Sequence, residues 1–512
     1  MEIKSHYFTR WSANPQAPFL RFGYEKWSRL EFVQEVKAAA ALLSERGVGR
    51  GDRVAVMLET SPAALVAVCA AHLAGAAVVP LNARSAQEEW QFVLSQTRPS
   101  LIISESALSP VACPSLVRHE LEEQIRQAAI ADRQENARLR GVDPNDLAFI
   151  CFTSGTTGRP KGVMLLHRNV IANLEALRKT WQWTEQDRLL LALPLFHVHG
   201  LIVAVLGSIW SGSEIALYPS FEASVVLEAL SVQRCTVFMG VPTMYYRLLE
   251  AAQNANLDRQ KIQARFQGFR LFISGSAPLP SSTHSRFQEV FGHSILERYG
   301  MTETLMVLSN PYGGQRKPGS VGFPLQGIEV SLVDDNGYPV PQGEIGEILV
   351  RGPNVFAGYW NCGEIDRAIL GDGWFRTGDV AYQDDGGYFF VIGRKSTDIL
   401  KTSGFKISAR EIEDALLQLP SVAEAAVVGK PDEEQGEAIV AFIRGSEELS
   451  DYLNRSLGPS QAAELLKINL PHFLGARLAR YKHPSSYIFL KDLPRNSMGK
   501  VSKVRLREML EK

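Results

Sequence analysis

Cysteine is scarce and scattered in this chain of 512 residues: Cys69, Cys113, Cys151, Cys235 and Cys362 form no C-x-x-C pair, and no histidine cluster stands at metal-ligand spacing. That excludes a disulfide framework and a structural zinc site as the basis of the fold, and a reducing cytosol is the expected setting. Net charge is nearly absent. Lys and Arg number 54 against 55 Asp and Glu, a formal balance of -1. Such a surface has no field to draw nucleic acid or an anionic membrane, which leaves a small molecule as the expected partner. Unbroken apolar runs of spanning length are missing as well. The stretch 62–81 contains His72 and Gly75, and 189–210 carries Pro194, His197, His199 and Gly200 at its middle. Both read as buried strand–turn–helix pieces, so no membrane span is expected. The opening residues Met1 to His6 lack the apolar core of a signal peptide and the Arg/Ser-rich character of a transit peptide, so the expected location is cytoplasmic.

What is present is length and alternation. A single core stops growing at about 250–300 residues, so the chain is expected to be multi-domain. Residues 27–45 read as an amphipathic helix, 53–58 as a strand, 62–74 as a buried helix, and 77–80, 101–104 and 147–152 as further strands. This alternation predicts α/β layers with mostly parallel sheets. From Gly327 the texture changes: 328–333, 346–351 and 387–392 are short strands between Asp/Asn/Gly/Pro turns, the pattern of a small β-barrel or open β subdomain. After Arg394 a compact α+β unit is expected, with a helix at 409–418 and strands at 423–428 and 486–490. The expected fold is thus a large N-terminal domain, 1–394, of two layered α/β subdomains plus the β-barrel part at about 327–394, and a small mobile domain, 395–512.

The strand 147–152 runs into Thr153, Ser154, Gly155, Thr156, Thr157, Gly158, Arg159, Pro160 and Lys161. Glycines let backbone approach an anion, hydroxyls and N–H groups donate to phosphate oxygens, and Lys161 supplies a cation. The spacing is not that of a Walker A loop. Taken alone, a generic Ser/Thr/Gly turn looks the same.

It does not stand alone. Downstream come Ser274-Gly-Ser-Ala-Pro-Leu279, Tyr299-Gly-Met-Thr-Glu-Thr304, Thr377-Gly-Asp379, Gly393-Arg394, Lys401-Thr-Ser-Gly-Phe405 and Pro494-Arg-Asn-Ser-Met-Gly-Lys500. In this order and spacing they resemble the adenylate-forming superfamily of acyl-CoA synthetases, adenylation domains and luciferases, from about residue 27 onward. The resemblance implies ATP, Mg²⁺ and coenzyme A as partners of a carboxylic acid. Tyr299 is then expected to stack on adenine, with Gly300 and Met301 beside it and Gly275, Ser276, Ala277 and Pro278 as the opposite wall. Thr302 binds the α-phosphate, Glu303 holds Mg²⁺, and Asp379 accepts the ribose hydroxyls with Arg394 alongside. Lys500 offsets the charge gathered when a carboxylate meets a triphosphate. The small domain then turns about Ser396, Thr397 and Asp398 to withdraw Lys500, and Lys401, Ser403 and Gly404 face the thiol step. Between Arg394 and Gly404 the chain departs from the usual pattern by a residue, which leaves the pivot itself open among those three.

The acyl pocket is expected between 194–200, the helix after 240–242 and the turn before Tyr299. Two guanidiniums there, Arg247 and Arg298, suit a second carboxylate, and burying them unmatched would reject a plain fatty acid. An exposed Arg247 paired with Glu250, or a structural salt bridge at Arg298, fits the same residues. The stretches 239–249, 271–279, 296–304, 309–311 and 351–356 resemble malonyl-CoA synthetases within the superfamily. That resemblance implies malonate or methylmalonate as substrate, with His199 and Ser274 as further contacts. Synthetases for fatty, aryl or other dicarboxylic acids, a carrier-loading adenylation enzyme and a luciferase-like oxygenase are the competing readings. Monomer and homodimer stay equally open.

Overall fold

The computed structural model describes residues 6–8, 11, 14–109, 113–130, 142–153, 160–255, 258–361, 369–370, 372–396, 398–402, 405–419, 421–433, 435–446, 470–495 and 501–510. It separates into two compact units, 1–330 with 350–375, and 331–349 with 376–512.

The first unit holds two large sheets. In one, seven strands run in the order Gly358–Tyr359, Lys161–Leu166, Leu147–Thr153, Ala77–Pro80, Arg53–Met57, Leu101–Ser104, Ser115–Val117. Leu147–Thr153, Ala77–Pro80, Arg53–Met57 and Leu101–Ser104 pair in parallel and are largely buried, which is why they read as continuous apolar runs, whereas Lys161–Leu166 pairs antiparallel with both neighbours. The other sheet has nine strands. Its parallel centre comprises Glu214–Leu217, Arg188–Leu191, Val237–Gly240, Leu271–Ser274 and Leu296–Met301. The mostly parallel α/β layering expected from the alternation is therefore present. Among the described residues no helix is long and apolar enough to cross a membrane. The stretch 62–81 is the buried helix Pro62–Ala74, which ends on the left-handed Gly75, followed by the strand Ala77–Pro80.

Most of the four-stranded sheet Glu329–Val333, Gly346–Arg351, Phe375–Gln383 and Phe389–Arg394 falls in the second unit, which also holds a five-stranded sheet built on the long hairpin Val422–Asp432 and Gly436–Gly445. The β-rich stretch thus takes the form of an open sheet. Compactness groups most of it with the C-terminal segment, whereas the sequence reading placed it before a boundary at 394/395. The physical tie is local: Arg410 on the helix Ala409–Leu416 donates to the Val391 carbonyl at 2.6 Å, and the Arg394 amide to Asp398 Oδ2 at 2.9 Å. The long segment after Phe442 falls partly outside the described residues, but Leu470 and Leu474 are buried in the core of this unit.

One buried histidine makes the first unit sensitive to acid. His72 donates through Nε2 to the Ala148 carbonyl at 2.9 Å, its Nδ1 has no hydrogen-bond partner among the described residues, and it stacks edge-on to His167 with centroids 4.8 Å apart. Burial pulls its pKa from 6.5 down to about 4, against partial support from the Ala148 bond. The unfolded chain therefore binds the proton first. Stability is full above about pH 6.5 and is lost as pH falls toward about 4, by roughly 3 kcal/mol in all. Thermal unfolding across that window should show a falling midpoint, less steep in His72→Asn, which has no proton to take up. Part of the slope should survive in the variant, because burial also lowers His284 and His293. An unchanged slope would exclude His72 as a contributor.

Candidate functional site

Thr153 and Lys161 face each other as direct antiparallel partners, at the end of Leu147–Thr153 and the start of Lys161–Leu166. The loop they bracket, Ser154, Gly155, Thr156, Thr157, Gly158 and Arg159, lies outside the described residues. The Lys161 ammonium sits 5.1 Å from the centre of the Tyr359 ring, a cation–π contact. Tyr359 in turn donates its hydroxyl to Glu303 Oε1 at 2.8 Å. Lys161, Tyr359 and Glu303 therefore form one connected group, with Glu303 only 6% exposed. The Phe356 amide holds the Glu303 carbonyl at 2.8 Å and Asn354 Nδ2 the Thr304 carbonyl at 2.6 Å, so this corner is anchored through its backbone. Sequence reasoning did not single out Tyr359. Its signal is a Gly-Tyr pair with no motif around it, and the role comes from pairing beside Lys161–Leu166.

Cys151 lies near this group. Burial, with a smaller contribution from the Glu303 charge, pushes its thiol up to about 12. It is thus no nucleophile at neutral pH.

The hairpin Leu296–Met301 and Leu305–Ser309 carries Arg298, Tyr299, Gly300, Met301, Thr302 and Glu303. Its register shifts between Tyr299 and Gly300, a bulge that re-aims the residues beyond it. Tyr299 and Thr302 are half-buried. At Gly300 an added Cβ would stand 2.0 Å from the Leu305 carbonyl oxygen, so nothing larger fits.

Ligands of parallel α/β sheets gather outside the carboxyl ends of the strands. Ser274 stands at such an end, paired with Gly240 on one side and Glu297 on the other. Its hydroxyl is buried with no hydrogen-bond partner among the described residues. Next to it, Gly275 lies under the Arg298 guanidinium, 2.3 Å from Cζ to where a Cβ would be. Arg298 is 4% exposed, and its Nε and Nη2 have no hydrogen-bond partner among the described residues. Burial pulls its pKa down to about 10, with Tyr245 acting weakly the other way. The Tyr245 hydroxyl is committed elsewhere, donating to the Ile273 carbonyl at 2.7 Å. Ser276, in the left-handed region at φ 68°, meets His199 Nδ1 through its hydroxyl at 3.2 Å, and Ala277 and Pro278 are exposed beside it.

Arg247 does not join this group. The helix Pro242–Asn254 buries Tyr245, Leu248, Leu249 and Ala252. At 100° per residue that face points well away from position 247, and Arg247 is exposed. The structure thus brings Ser274, Gly275 and Arg298 together, with His199 on Ser276, and leaves Arg247 apart.

In the second unit Asp379 and Arg394 are antiparallel partners joined at 2.7 Å, and Arg394 also donates to the Thr377 carbonyl at 3.0 Å. The expected pairing of these two side chains is present. Ser396 and Lys401 are exposed, and the Lys401 amide donates to Glu437 at 2.6 Å. Thr397, Ser403, Gly404 and Lys500 lie outside the described residues.

Known proteins agree with this layout. The model of the AMP-binding enzyme family matches residues 8–360, and that of the AMP-binding enzyme C-terminal domain matches 411–500. The chain belongs to the AMP-binding enzyme family. It is 35% identical to the mitochondrial malonate–CoA ligase of Bos taurus, over 89% of this chain and 80% of that protein. Among solved structures, ATP-bound MatB from Rhodopseudomonas palustris superposes with a TM-score of 0.87 at 35% identity, covering 99% of both chains. A malonyl-CoA ligase with methylmalonyl-CoA and AMP bound superposes at 0.65 and 37% identity, covering 94% of this chain and 97% of the other.

The two glycines of the site predict different failures. Gly300→Ala meets fixed backbone and should cost on the order of 1–3 kcal/mol, seen as a lower unfolding midpoint. Gly275→Ala meets the end of a side chain, so the midpoint should move little while Arg298 is displaced and binding of an anionic ligand weakens. Equal shifts of the midpoint in both would contradict this reading.

Proposed function

We propose that the chain ligates malonate or methylmalonate to coenzyme A with consumption of ATP, through an acyl-adenylate. One carboxylate oxygen attacks the α-phosphorus and pyrophosphate leaves. The coenzyme A thiol then attacks the acyl carbon and AMP leaves. The observation that carries the substrate is Arg298, a buried guanidinium with no acidic partner among the described residues, beside the open Ser274 hydroxyl. An anion that pairs with it recovers a burial penalty of several kcal/mol, on the order of what separates a dicarboxylate from a fatty acid. The malonate–CoA ligases among the relatives support the same substrate.

The remaining roles follow the motifs. The 153–161 loop with Lys161 receives the β- and γ-phosphates, Tyr299 stacks on adenine against 275–278, and Thr302 meets the α-phosphate. Asp379, oriented by its ion pair with Arg394, receives the ribose hydroxyls. Glu303 suits Mg²⁺: it is a fixed carboxylate with a Tyr359 hydrogen bond on one oxygen, and Mg²⁺ takes one or two carboxylates plus phosphate oxygens and water rather than a protein cage. Bound there, the ion would neutralise phosphate charge. Lys500 stabilises the first transition state. A domain beginning at 395 turns about 396–398 so that Lys401, Ser403 and Gly404 serve the thiol step. Among the described cysteines Cys69, Cys113, Cys151 and Cys235 are free, which fits a reducing cytosol.

Pyrophosphate release tests the proposal. Malonate should exceed acetate and octanoate in kcat/KM by about tenfold or more, and comparable rates would defeat the dicarboxylate assignment. Arg298→Gln should raise the KM for malonate by about 100-fold while moving that for ATP less than about threefold. Arg247→Gln, at an exposed position, should have the smaller effect. A shift of both constants together in Arg298→Gln would mean that the residue is structural.

A further inference from the structure

An ion cluster around Lys503 lies outside every role assigned so far. Lys503 opens the helix Lys503–Glu508, directly after the segment that carries Lys500 in sequence. Its ammonium stands 2.6 Å from Asp398 Oδ1 and 2.8 Å from Glu413 Oε1, with the Lys503 side chain 17% exposed. The other Asp398 oxygen accepts the Arg394 amide at 2.9 Å, and Glu413 Oε1 also accepts the Val427 amide at 2.7 Å. One cation thereby ties together the stretch after Arg394, the helix Ala409–Leu416 and the residues that follow Lys500.

The described backbone on both sides of 496–500 is also held. Arg495 and Val501 form an antiparallel bridge, the Ser502 amide donates to the Pro494 carbonyl at 2.7 Å, and Leu506 is fully buried. Burial alone would lower the Lys503 pKa, but the charges of Glu413 and Asp398 outweigh it and raise it, so the ammonium stays charged at neutral pH. Removing it leaves two carboxylates facing each other at low dielectric, which costs far more than losing a surface pair.

We propose that Lys503 is a positioning residue for the adenylation step: by clamping Asp398 and Glu413 it holds the helix Lys503–Glu508, next in sequence to Lys500, to the stretch after Arg394 and to the helix Ala409–Leu416. This rests on the proposed two-step reaction, in which Lys500 acts in adenylation and is withdrawn for thioester formation. Loss of the clamp should therefore harm one half-reaction selectively, whereas general destabilisation harms both.

The test uses the full chain. Adenylation is read as malonate-dependent exchange of labelled pyrophosphate into ATP. Thioester formation is read as malonyl-CoA made from supplied malonyl-adenylate and coenzyme A. Lys503→Met should slow adenylation by about 100-fold and thioester formation by less than about threefold, and Lys503→Arg should restore most of the first. If Lys503→Met does not fold, Glu413→Gln carries the same split at about tenfold. Equal losses in both steps, loss in neither, or loss confined to the thioester step overturn the proposal. Absence of malonate-dependent exchange in the unaltered chain would instead overturn the malonate reading from which it starts.

Discussion

A buried guanidinium with no counter-charge is the constraint around which the first unit is arranged. Arg298 gains nothing from water and has no hydrogen-bond partner at Nε or Nη2 among the described residues. The fold tolerates this because the surrounding backbone is over-determined. The strand Leu296–Met301 lies between a parallel and an antiparallel neighbour. Asn310 spans the Glu297 and Ser320 carbonyls at 3.1 and 2.6 Å, and Trp181 holds the Ser309 hydroxyl at 2.9 Å. Gly275 is glycine because the guanidinium occupies the space of its side chain. Such a site is preorganised, its cost met by the scaffold before any ligand arrives.

The same hairpin also sends adjacent side chains in different directions. Successive side chains on a strand point to opposite faces, so Arg298 and Tyr299 diverge although adjacent. The bulge at Tyr299/Gly300 and the tight approach of Gly300 to Leu305 then turn the chain toward Glu303, which takes the hydroxyl of Tyr359, and Lys161 lies over the ring of that tyrosine. A short stretch of sequence thus carries a buried guanidinium and, beyond the bulge, a buried carboxylate.

Much of this was legible beforehand, for reasons that differ from residue to residue. The parallel strands announced themselves because burial on both faces leaves an uninterrupted apolar run. Asp379 and Arg394, far apart in sequence, become neighbours through antiparallel register. Motif order pointed to both but periodicity could not have paired them. For Arg247 the exposed alternative was legible as well: the apolar spacing at 245, 248, 249 and 252 sets position 247 on the outer face. Tyr359 was invisible because its place is set by a strand pairing across the sequence, with Gly358 opposite Met164. The grouping of the four-stranded sheet with the C-terminal segment depends on contacts such as Arg410 to Val391, which no local pattern encodes.

Two buried cations show how the same physics supports opposite purposes. Arg298 and Lys503 both leave water on folding, and burial lowers the pKa of each in the first instance. At Lys503 two carboxylates within 2.8 Å overturn that tendency, and the charge is satisfied before any ligand binds. At Arg298 nothing overturns it, and the shift persists. A compensated charge can hold structure but has little left to offer a ligand, whereas an uncompensated one weakens the fold and reserves its interaction for an anion from outside.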